Sequence, residues 1–251
     1  MQCLLDPDGP TVVHVSGTGG IGKTHLLGRF AALAREAGAS VVHLDCREVE
    51  PSPPGFLGAL AAASGAREPT LECVAERLGS LSGRTIVVLD AYELFGLMDA
   101  FIRRELCPAL GESVRLVSAG RDAPRGPWLT SPEWHGRFRA IELGPLADHE
   151  AIEYLVLRGF DHATARRVNG IARGLPLALT VAASLGVSNS RTVEDATVSV
   201  VDSLARQYLR SVDSSVTREA LEAASVLRRT TESLLRAVLP DSAPGDLFDR
   251  L

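Results

Sequence analysis

Aromatic residues make up only 5% of the 251 residues, so a surface that stacks successive bases is not expected. Positive charge is not in excess either. The formal net charge is −5, which removes bulk electrostatic attraction as a route to nucleic acid or to an anionic membrane. Neither direct nucleic-acid binding nor membrane binding is expected of this chain. Cysteines are few, and Cys3, Cys46, Cys73 and Cys107 lie far apart. That excludes zinc-ligand spacing and a secreted disulfide framework, and it reads as reduced thiols in a cytoplasm. The N-terminus MQCLLDPDGP has no basic stretch followed by an apolar core, so it is not a signal peptide. Apolar runs break within a few residues, so no segment is expected to span a membrane. Internal repeats and low-complexity tracts are also missing.

What remains is the composition of an ordinary globular protein, 45% hydrophobic and 23% charged. The length leaves room for more than one core at ~100–200 residues per domain. Residues 11–15, 40–45, 84–90, 113–120 and 138–143 read as strands, and the first two of these as buried ones. Helices are expected at 22–37, 55–63, 70–80 and 94–106. Strands alternating with helices imply a parallel sheet covered on both faces. After Gly144-Pro145 the pattern turns helical: 148–158, 161–173, 176–185, 193–211, 216–228 and 231–238. The expected domains are an α/β unit over 1–145, a small all-helical unit over 146–212 and a further helical piece over 213–251.

The stretch GTGGIGKT, Gly17 to Thr24, matches G-x-x-x-x-G-K-[ST], with a strand before it and a helix after it. The chemistry asks for these residue types. Glycines let the amides of Thr18, Gly19, Gly20, Ile21 and Gly22 turn toward phosphate oxygens. Lys23 supplies a point charge for the β- and γ-phosphates. The Thr24 hydroxyl can ligate Mg²⁺. The helix that begins there directs its positive end, and the His25 amide, at the anion. A nucleotide with Mg²⁺ is therefore the expected cofactor.

A phosphate loop needs an acid to hold the metal, and Asp90 ends the apolar strand IVVLD. The alternative for Asp90 is a cap on the next helix. Glu93 follows three residues later. It is placed either to polarise an attacking water or to complement a helix dipole in solvent. Arg121 ends the strand LVSAGR. If that strand lies beside the first, Arg121 would reach a γ-phosphate; otherwise it is a surface residue opening a loop.

GTGGIGKT, VVLDAYE, LVSAGR and GLPLAL occur in this order over roughly residues 11–240. Together they resemble the STAND class of signal-transduction ATPases, of which the NB-ARC domains are the best-known branch. The resemblance implies a five-stranded P-loop NTPase sheet with the Arg121 strand between the P-loop strand and the Asp90 strand. It implies a helical domain that holds the adenine side of the nucleotide, with Pro176 packed on the base, and then a winged-helix domain that begins near residue 213. Pro176 also suits the first turn of a helix on its own account. Many STAND proteins carry a second acid directly after the strand Asp; here that residue is Ala91, and slow hydrolysis is expected. The family's upstream adenine segment and downstream histidine have no counterpart here, so both ends look cut, as in an excised fragment, a degenerate gene or a compact variant.

The implied function is an ATP-binding, slowly hydrolysing switch module of a signalling protein, with an unknown output partner and self-assembly on activation. Two other readings compete. A P-loop small-molecule kinase would need a second pocket and a lid with several arginines, for which Arg103 and Arg104 are the candidates. A non-catalytic scaffold would use nucleotide only for stability. The guanine-reading Asn-Lys-x-Asp is missing, which excludes a conventional GTPase. His14 and His43 read as ordinary strand residues, and Trp128 and Trp134 as packing over a sheet edge.

Overall fold

The computed structural model describes residues 8–189. The helices expected beyond residue 189, and with them the start of a winged-helix domain, lie outside the described residues. The chain separates into two compact units, Met1–Pro145 and Leu146–Leu251.

The first unit is built on five parallel strands: β1 (Val12–Ser16), β2 (Ser40–Asp45), β3 (Thr85–Asp90), β4 (Val114–Gly120) and β5 (Phe138–Glu142). Their order is β2-β3-β4-β1-β5, so β4 does lie between the P-loop strand and the Asp90 strand. The fold is the α/β fold of P-loop NTPases. β1, β3 and β4 are buried along their whole length, as apolar runs covered on both faces require. β2 is an edge strand. Its alternate residues are half-exposed or exposed, which corrects the expectation of a second fully buried strand. β5 closes the other edge.

Side chains alternate across the pleat. Val13 and Val15 face helix α1 (Lys23–Glu36) and pack with Leu27, Phe30 and Ala34. Val12, His14 and Ser16 face the other way. That side is covered by α2 (Pro53–Ser64), α3 (Leu71–Gly79) and the segment after β3. Ser52 and Thr70 cap α2 and α3 with their hydroxyls, the usual satisfaction of first-turn amides.

The segment after β3 differs from the single helix expected over 94–106. It opens as a 3₁₀ turn, Tyr92–Phe95. A helical run follows, made of α4 (Asp99–Phe101), a π turn (Ile102–Leu106) and α5 (Cys107–Ala109). Pro108 has no N–H to return to the preceding turn, and the Cys107 amide bonds instead to Ile102, the longer closure of a π turn. The short helix α6 (Gly126–Thr130) places Trp128 against Phe138 of the edge strand, ring centroids 5.1 Å apart.

The second unit contains α7 (Asp148–Leu157), α8 (His162–Ala172) and α9 (Pro176–Asn189). Small residues fill its core, among them Ala151, Ala165, Ala172 and Ala182, around Leu155 and Leu179. The α8–α9 turn is tight. Gly174 has φ +72°, and a Cβ there would collide with the Leu146 carbonyl. Buried Asn169 secures this turn by accepting from the Gly174 amide at 3.0 Å and donating to Asp148 at 2.9 Å.

Candidate nucleotide-binding site

The loop between β1 and α1 has the geometry its glycines permit. Gly20 and Gly22 have φ of 78° and 100°, which L side chains rarely adopt. Ile21 is the exception in chemistry. Its side chain is buried. Gly22 caps α1 with no side-chain hydrogen bond, and no acidic residue stands in the first turn. The amides of Lys23, Thr24 and His25 precede the first i→i−4 bond, which the Leu26 amide makes to Gly22. They are the donors a helix leaves for an anion. Gly17 is required by space: a Cβ there would stand 2.9 Å from the Leu143 carbonyl.

Lys23 folds back over this loop. Its Nζ donates to the carbonyls of Gly17 at 2.7 Å and Thr18 at 3.1 Å. Burial lowers its pKa, Arg121 acts in the same direction, and the carboxylates of Glu93 and Asp90 oppose the shift. The Thr24 hydroxyl donates to Asp90 Oδ2 at 2.7 Å, and the other Asp90 oxygen accepts from the Ala91 amide at 2.9 Å. Thr24 and Asp90 thus form a pair of hard oxygen donors. Among the described residues no cluster of three or more His, Cys, Asp or Glu could hold a metal ion. Two protein oxygens suit Mg²⁺, which keeps waters and takes phosphate oxygens as further ligands; the donor set fits that ion.

Ala91 is left-handed, with φ 55° and ψ 41°, a rare conformation for a residue with a Cβ. This turn starts the 3₁₀ segment and carries Glu93 across to the end of β4. There the Arg121 amide donates to Glu93 Oε2 at 3.2 Å, and Arg121 Nε stands 3.4 Å from Glu93 Oε1. A Cβ on Gly120 would lie 3.1 Å from the Glu93 amide and 3.2 Å from Oε2. The approach is close because residue 120 is glycine. Lys23, Thr24, Asp90, Glu93 and Arg121 therefore meet at the C-terminal edge of β1, β3 and β4, the edge where open α/β sheets place ligands.

Two features escaped the sequence reading. His14 is buried, with Nδ1 2.8 Å from Ser118 Oγ and Nε2 3.0 Å from the Asp122 carbonyl. It ties β1 and β4 to the loop that follows Arg121. Burial lowers its pKa, and the Asp122 carbonyl works against that shift. Only its register partner, Ser118, could have singled it out. The second is Arg47, on the 3₁₀ turn Cys46–Glu48 after β2. Its Nη2 is 2.7 Å from Asp45 Oδ2 and 3.9 Å from Asp90 Oδ2. Arg103 moves in the other direction. It is buried, its Nε 4.0 Å from Asp99 and without a hydrogen-bond partner, so it is not an exposed lid arginine; Arg104 is exposed. Pro176 is the first residue of α9, in the second unit.

No protein-family model and no curated protein matches this sequence. Among solved structures the chain is similar to the Orc1 protein of Aeropyrum pernix, solved in complex with DNA. The identity is 18% and the TM-score 0.59, over 98% of this chain and 78% of that one. It is also similar to Drosophila ORC bound to DNA, at 12% identity and TM-score 0.57, over 98% and 82%. A third is the RuvB Holliday junction branch migration motor of Thermotoga maritima, at 17% identity and TM-score 0.50, over 93% and 75%. At these identities the likeness is one of fold.

Proposed function

We propose that this chain is an ATP-binding, slowly hydrolysing switch module of the STAND type. The observation that carries the reading is the contact between Arg121 and Glu93 beside the phosphate loop. Two groups suited to opposite tasks, sensing a γ-phosphate and accepting a proton from water, neutralise each other at rest.

ATP would enter with its β- and γ-phosphates on the amides of residues 18–25 and on Lys23, which exchanges the Gly17 and Thr18 carbonyls for phosphate oxygens. Thr24 and Asp90 would hold Mg²⁺, which neutralises charge on the β- and γ-oxygens when bound. Arg121 would leave Glu93 for the γ-phosphate, and Glu93 would then be free to take a proton from the attacking water. Loss of the γ-phosphate returns Arg121 to Glu93. The two states differ in which anion holds Arg121, which is the differential contact a population shift needs. In this proposal the signal passes to a partner protein or to further copies of the chain. The DNA of the similar structures is not carried over. The net charge of −5 gives no bulk attraction to a polyanion, and a DNA gel-shift titration at low salt checks this by showing no retarded band.

The decisive experiment is Glu93→Gln. ATP binding is expected to persist while phosphate release falls by ~10²–10⁴-fold, the usual effect of losing a general base. Release that is unchanged would leave the water unassisted by Glu93. If even the parent releases no phosphate, the chain is a nucleotide-stabilised scaffold. ADP formation that needs an added phosphate acceptor, with the phosphoryl group recovered on that acceptor, would make it a kinase.

A further inference from the structure

We propose that Arg47, held by Asp45, is a built-in counter-cation of the metal site that weakens its hold on a divalent ion until nucleotide is present. The proposal rests on the nucleotide-binding reading above.

β2 and β3 end in register, with Asp45 opposite Asp90. Two carboxylates at neighbouring strand ends repel unless a cation stands between them. Arg47 is that cation. Asp45 Oδ1 accepts from the Arg47 amide at 3.0 Å and from Nε at 2.8 Å, and Oδ2 accepts from Nη2 at 2.7 Å. The side-chain bonds form a two-point fork, which fixes orientation as well as distance. The amide bond caps the 3₁₀ turn Cys46–Glu48, and the buried side chain of Cys46 anchors that turn in the core. The guanidinium is thereby folded back over the strand ends. Its Nη2 stands 3.9 Å from Asp90 Oδ2, the same oxygen that accepts from Thr24.

At that separation Arg47 attracts Asp90 without bonding to it. The two partners at Asp90 Oδ2 therefore differ in kind. Thr24 is a co-ligand for a metal, whereas Arg47 is a competitor for the same negative charge. Asp45 keeps the competitor from closing on Asp90. Nucleotide phosphates bring enough negative charge to outweigh one guanidinium, so the divalent ion arrives with the nucleotide and not before it. Arg47 is a positioning residue in this scheme and touches no reacting atom.

The test measures Mn²⁺ binding to the full chain by electron paramagnetic resonance, without nucleotide and with ADP saturating, for the parent and four variants. Without nucleotide, Arg47→Gln is expected to tighten Mn²⁺ roughly three- to tenfold, the scale of one unit charge at about 4 Å in high dielectric, and by less with ADP bound. Asp45→Asn is expected to loosen it by a similar factor, because it removes a negative charge and releases the guanidinium onto Asp90. The double variant should fall closer to the parent than Asp45→Asn does. Arg35→Gln, at the far end of α1, removes the same charge and should change nothing. Both tested side chains are partly exposed, so folding is not at stake. Mn²⁺ affinity that is unchanged or weaker in Arg47→Gln, or tighter in Asp45→Asn, overturns the proposal. A parent that binds neither ADP nor Mn²⁺ overturns the nucleotide reading along with it.

Discussion

Replacing Arg121 by alanine should remove much of the preference for ATP over ADP and leave ADP binding nearly untouched. Two terms set the size of the effect. A charge-assisted hydrogen bond from the guanidinium to a γ-phosphate contributes about 1.5–3 kcal/mol. Against it stands the resting contact with Glu93, at 3.4 Å between side chains that are 47% and 22% exposed. A pair so exposed contributes only about 0–1 kcal/mol. The backbone bond from the Arg121 amide to Glu93 survives the substitution and drops out. The difference leaves roughly 0.5–3 kcal/mol for Arg121 to contribute to discrimination, or about 2- to 150-fold in relative affinity. The assay is a pair of calorimetric titrations, ADP and a non-hydrolysable ATP analogue, against parent and variant at fixed Mg²⁺. Glu93→Gln supplies a cross-check. It weakens the resting contact and so should tighten the ATP analogue by up to about fivefold. Equal losses for both nucleotides in Arg121→Ala would refute the reasoning. Arg121 would then support the loop, and Glu93 would have no competitor to release it.

Lys23→Ala should abolish binding of both nucleotides, because Nζ is placed over the loop carbonyls where both a β- and a γ-phosphate would lie; binding within twofold of the parent would remove the phosphate-loop assignment. Burial lowers the Lys23 pKa from its ordinary value of 10.5, so Lys23 in the folded chain loses its proton at a lower pH than in an unfolded chain. Stability from this group should therefore rise with pH between the lowered value and 10.5, whereas nucleotide affinity falls and binding takes up a proton, read as buffer-dependent binding enthalpy. His14 has its sign set by a depressed imidazole pKa. Its contribution to stability is complete above the unfolded value near 6.5 and is lost as pH falls below it toward the folded value, so Ser118→Ala and His14→Gln should alter the acid limb of a thermal-melting profile and leave the alkaline limb unchanged. Gly120→Ala should press a methyl group against Glu93 and reduce phosphate release about tenfold or more, with a stability loss of about 1–3 kcal/mol; a variant that turns over as fast as the parent would show that the Glu93 position is slack.

Local rules accounted for much of the fold because its signals are local. β-branched runs bounded by Gly and Asp are strands wherever they are buried on both faces, and the Lys23–Glu36 helix follows from its spacing of Leu27, Phe30 and Ala34. Where the reading missed, a longer-range partner had decided. β2 read as a buried strand, yet it is an edge strand, and sheet order cannot be read from hydrophobicity. The run over 94–106 carried helical spacing. The left-handed Ala91 and the missing N–H of Pro108 divided it into 3₁₀, α and π turns.

The phosphate loop is the part of the site that the chain order determines, because its donors are consecutive amides and its cation is the next residue. The remainder depends on strand order. Asp90 meets Thr24 because β3 ends beside the start of α1, and Glu93 meets Arg121 because β4 lies between β1 and β3 and Gly120 leaves room for a carboxylate. Arg47 belongs with Asp90 only because β2 pairs with β3 in a register that sets Asp45 opposite it. Parallel strands bring residues distant in sequence to one edge, and hydrogen-bonded register settles which of them touch.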